Sequence, residues 1–125
     1  MPLSAFGLHI GDAHILRNAG GRVTDDVLRS LLVSSHLLGT RSFAVVHHTK
    51  CGMTTNSDTQ IRAAVRDGSG LDPGELEFYA ISDPEADLRA DVKRITTSGL
   101  FPPDLDVRGF IYDVESGHLH QVSTD

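Results

Sequence analysis

SFAVVHHTKCGM, residues 42–53, begins with an unbroken apolar run from Phe43 to Val46 and passes through two adjacent histidines to the chain's single cysteine. A short run without polar interruption reads as a strand covered on both faces, the habit of sheets flanked by helices. In α/β proteins ligands gather at the ends of such strands, where the sheet fixes the backbone and the side chains converge. His47 and His48 alternate across the pleat, so they point to opposite faces and cannot both reach one ion from the strand.

The flanking sequence supplies helices and further strands. Upstream, AHILR at 13–17 reads as a short strand, followed by the small-residue turn NAGGR. Thr24 is placed to cap a helix, with Asp25 and Asp26 in its first turn. Val27, Leu28, Leu31, Leu32 and Leu38 form its apolar side, and Gly39 ends it. Downstream, a helix is expected from about Thr55 to Arg66, with Ile61, Ala64 and Val65 inward, then the turn-rich DGSGLDPG. ELEFYAI at 75–81 reads as a strand, and Asp83-Pro84 opens a helix with Leu88, Val92 and Ile95 inward. VRGFIYDV at 107–114 and HLHQV at 118–122 form a hairpin around a Ser-Gly turn. The expected architecture is α/β: a mainly parallel sheet flanked by helices, with a C-terminal antiparallel edge hairpin.

The chain has 125 residues, enough for one domain spanning 1–125. Eleven basic residues against seventeen acidic ones give a net charge of −6, with the basic residues scattered, which disfavours nucleic acid and anionic membrane as partners. No run approaches the roughly eighteen apolar residues of a membrane span, and the first residues lack the pattern of a secretory signal. One cysteine forms no internal disulfide, so the expected location is the cytoplasm.

His48 and Cys51 form an H-x-x-C spacing followed by Gly52. Zinc accepts imidazole and thiolate together, and Lys50 and the backbone N–H groups near Gly52 would favour the deprotonated thiol. The spacing equally suits a buried cysteine beside an ordinary histidine. Zinc takes three or four protein ligands, and the other donors, His9, His14, His36, His118 and His120, are scattered, the last two on a solvated edge. Cys51 as a nucleophile with His48 as base lacks a visible orienting group or oxyanion hole. Asn18-Ala19-Gly20-Gly21 is either an anion cradle or a tight crossover that needs small residues, and Arg17 either a structural ion-pair partner or an anion contact.

Taken in order, GDAHILRNAGG (11–21), VTDDVLRSL (23–31), LLGT (37–40), HHTKCGM (47–53) and RGFIYDVESGHL (108–119) resemble the β-class carbonic anhydrases. The resemblance implies a zinc lyase that interconverts carbon dioxide and bicarbonate on an α/β sheet, associated as a homo-oligomer or with a full-length relative. His48 and Cys51 match the family's H-x-x-C metal ligands. The full pattern adds an earlier C-x-D-x-R segment on a central strand, carrying a second cysteine ligand and an Asp-Arg pair beside the metal.

That segment does not occur in these 125 residues, so no catalytic residue is identified. The resemblance therefore implies an N-terminally truncated domain without its N-terminal central strand: a start assigned too far downstream, a fragment, or a rearranged relative. The expected function is zinc-dependent hydration of carbon dioxide by the complete family member, with little activity in the short chain. The alternatives are an inactive oligomerisation or regulatory module, and hydrolysis of small sulfur analogues of carbon dioxide.

Overall fold

The computed structural model describes residues 3–124; Met1, Pro2 and Asp125, at the ends of the expected domain, lie outside the described residues. The apolar run becomes strand β1 (Ser42–His48), which pairs in parallel with β2 (Asp106–Tyr112) from Ser42 opposite Asp106 to His48 opposite Tyr112. Strand β3 (Leu119–Val122) returns antiparallel along the other side of β2. The α/β class and the antiparallel edge hairpin are as expected. The sheet has three strands in the order β1-β2-β3, and the outer edge of β1 is unpaired among the described residues.

Among the described residues four α-helices accompany the sheet: α1 (Asp25–Leu38), α2 (Gly52–Thr55), α3 (Asp58–Ser69) and α4 (Pro84–Thr96). Thr24 caps α1 by accepting the Val27 N–H, and Gly39 ends it in the left-handed region at φ 77°. Asp83 caps α4, with Pro84 in the first turn. Helix α4 packs across β1 and β2, burying Leu88, Val92 and Ile95 against Phe43, Val45 and Val122, and Val23 completes this core. Phe43, Val45 and His47 share the face of β1 that is buried, so the strand's alternation carries one polar side chain into the wall of the core.

Six expectations need correction. Strand β1 is covered on one face, not both: Phe43, Val45 and His47 are buried, while Ser42 and Ala44 on the other face are exposed. The helix expected from about Thr55 to Arg66 runs from Asp58 to Ser69, because Ser57 caps it: its side chain accepts the Gln60 N–H while the Gln60 side chain accepts the Ser57 N–H, and Thr55 instead closes the short preceding helix α2. Ala64 is exposed, and so is Leu38 at the last turn of α1, where the helix runs beyond the part covered by core. ELEFYAI is not a strand. Its backbone groups are taken by side chains of α3: the Asp58 carboxylate accepts the N–H groups of Phe78 and Ala80, and Arg62 donates to the Leu76 carbonyl. AHILR is not a strand either; with no ladder partner among the described residues it stays irregular, with Ile15 and Leu16 exposed. Among the described residues no helix is long and apolar enough to cross a membrane.

Candidate metal centre

His48 is the last residue of β1, and the chain beyond it is held by the hairpin of β2 and β3. Thr49 donates its N–H to the Tyr112 carbonyl at 2.9 Å, and its hydroxyl accepts the Val114 N–H at 3.0 Å. Lys50 then takes the left-handed conformation, φ 54°, which a side chain resists, and this reverses the chain so that Cys51 precedes α2 as its N-cap residue. The Cys51 carbonyl accepts from the N–H and hydroxyl of Thr54, at 2.9 and 2.6 Å. On the surface Lys50 pairs with the Glu115 carboxylate.

The two candidate donors sit in different surroundings. His48 is exposed, and its Nδ1 donates to the Thr49 carbonyl at 2.8 Å, which in the neutral ring leaves the Nε2 lone pair facing away from that bond. Cys51 is buried. Beside His48 a cavity of about 210 Å³ is lined by His47, His48, Thr49, Lys50 and Thr54 together with Ile81, Pro84 and Ile111, a small recess. Among the described residues no group of three or more His, Cys, Asp or Glu side chains could hold a metal ion. His14 contacts Ser34 and His36 the Leu100 carbonyl, while His118 and His120 are exposed on or beside β3. The donor chemistry of His48 and Cys51 fits zinc, but as part of a ligand set.

Behind the strand end lies a buried cluster that the sequence reading missed. His47 Nε2 lies 2.9 Å from Asp91 Oδ2 on α4, and Arg22 Nε donates to the same oxygen at 2.8 Å. Arg22 also donates to the carbonyls of Tyr79 and Ala80. Burial pushes the Asp91 carboxyl up, but hydrogen bonds from His47 and Arg22, and the Arg22 charge, outweigh it and hold the group below the usual carboxylate range. The available signal was an acidic residue, Asp91, inside the apolar stripe of Leu88, Val92 and Ile95. The NAGG turn is a tight crossover: Gly20 and Gly21 have φ of 82° and 64°, and a Cβ on Gly21 would collide with the Val46 carbonyl.

The chain is 42% identical over 118 residues to β-carbonic anhydrase 1 of Mycobacterium tuberculosis, covering 94% of this chain and 71% of that protein. It belongs to the β-carbonic anhydrase family. The crystal structure of a carbonic anhydrase from Streptococcus mutans superposes with a TM-score of 0.91 at 43% identity, covering 96% of this chain and 72% of that one. A carbon disulfide hydrolase of Acidithiobacillus thiooxidans is 33% identical over 126 residues, covering 87% of this chain and 63% of that protein. No family model matches the chain. Within the β-carbonic anhydrase family, then, this chain spans about 71% of the length of the mycobacterial relative.

Proposed function

We propose that His48 and Cys51 are zinc ligands in a centre for the reversible hydration of carbon dioxide to bicarbonate and a proton. The observation that carries this reading is the hydrogen bond between His48 Nδ1 and the Thr49 carbonyl, which orients the ring with Nε2 available as a ligand atom. Zinc, when bound, supplies the Lewis acidity that makes water nucleophilic near neutral pH. The chain's own residues provide the rest. Thr49, tied to Tyr112 and Val114, holds the turn between the two donors, and Ile81, Pro84 and Ile111 offer a small apolar wall suited to an uncharged linear molecule. Two donors are half of a tetrahedral set, so the 125 residues alone bind zinc weakly and hydrate carbon dioxide slowly.

The test is zinc stoichiometry and stopped-flow hydration on the parent chain, His48→Ala and Cys51→Ser. Each substitution should weaken the zinc binding that the parent shows on titration, and a variant that binds zinc as tightly as the parent would refute the assignment. Carbon disulfide hydrolysis is the second reading, favoured by the Acidithiobacillus relative. Association with another copy or a full-length relative is supported by the unpaired edge of β1 and the exposed Ile15, Leu16 and Leu37. A cytoplasmic location rests on the free cysteine.

A further inference from the structure

The described residues bury an ionic cluster directly behind the strand that ends at His48. Asp91 and His47 are 4% and 2% exposed, and Arg22 is nearly covered. A buried ion pair is weak evidence of stability, since apolar side chains of similar volume often serve as well or better. What apolar packing lacks is direction. Asp91 Oδ2 receives two donors along fixed lines, one from β1 and one from the NAGGR turn.

The cluster reaches both sides of the H-x-x-C turn. On one side His47 is bonded to α4 and is the covalent neighbour of His48. On the other, Arg22 holds the carbonyls of Tyr79, at φ 57°, and Ala80; the next residue, Ile81, donates its N–H to the Met53 carbonyl at 2.7 Å. Met53 lies in α2, the helix that Cys51 begins. Gly20 reinforces this side, since a Cβ there would meet Met53 Cγ at 3.3 Å and Ile81 Cδ1 at 3.5 Å.

We propose that Arg22, Asp91 and His47 are positioning residues that set the placement of His48 relative to Cys51. The proposal rests on the zinc reading for its purpose, but its geometry can be measured without metal.

Two measurements on Asp91→Asn test it. In the metal-free chain, backbone amide resonances of Thr49–Met53 should move while those of the last turn of α3, residues 66–69, stay in place. In cobalt(II) titrations, the thiolate-to-cobalt absorption should shift and affinity should fall about 10- to 100-fold, the usual effect of losing a residue that orients a ligand. A general loss of stability moves neither quantity in the folded state. If Asp91→Asn does not fold, the double variant Arg22→Met/Asp91→Leu replaces the ion pair with apolar volume and is read in the same way. A folded variant with parental Thr49–Met53 resonances overturns the proposal, as does failure of both variants to fold, which would make the cluster structural alone. If the parent shows no thiolate–cobalt absorption, the zinc reading fails and the resonances by themselves decide the positioning role.

Discussion

Gly109 of β2 lies directly beneath Leu88 of α4, so close that a Cβ at Gly109 would stand 3.2 Å from Leu88 Cγ and 3.1 Å from Val92 Cγ2. The missing side chain is what lets α4 settle onto the sheet. Gly109→Ala should therefore cost about 1–3 kcal/mol, the range for overpacking a close-packed core. Urea unfolding reads this directly, and a midpoint equal to the parent's would show that α4 can lift without penalty.

A second glycine is constrained by its backbone as well as by space. Gly21 sits at φ 64°, and a Cβ would run into the Val46 carbonyl. Gly21→Ala should lose at least about 1 kcal/mol from the left-handed conformation alone, and should disturb β1 two residues before His48. Thermal unfolding measures the loss. Unaltered amide resonances at Val46–His48 would show that the NAGG turn does not bear on the strand.

Acid should weaken the fold through Asp91. Burial raises its carboxyl, but His47 and Arg22 lower it further, so the folded group binds its proton at lower pH than the unfolded one. Its contribution to stability is fully present above the unfolded value, about 3.9, and is lost as pH falls through the folded value. Denaturant midpoints of the metal-free chain should thus decline through that acid window, and Asp91→Asn should flatten the decline. Identical slopes would mean that Asp91 titrates alike folded and unfolded.

The break between α2 and α3 depends on the reciprocal bonds of Ser57 and Gln60. Ser57→Ala should cost about 0.5–2 kcal/mol and speed hydrogen exchange in the first turn of α3. Because neither residue touches the Arg22–Asp91–His47 cluster, the cobalt spectrum should be unaffected. A change there would couple α3 to the proposed centre.

Local physics made much of this protein legible in its sequence. Thr24, Asp83, Gly39 and the Leu88–Val92–Ile95 stripe place α1 and α4, and the apolar run of 42–48 gives β1, because caps, turns and periodic burial act over a few neighbouring residues. The opposite facing of His47 and His48 follows from the pleat. Tertiary structure alone decided which extended segments became strands. AHILR and ELEFYAI have strand-like residues, but a strand needs a partner's N–H and C=O groups, and no local pattern says whether those will be beside it. It also decided the Arg22–Asp91–His47 cluster, whose members are 69 and 44 residues apart in the chain and meet only because α4 lies across β1.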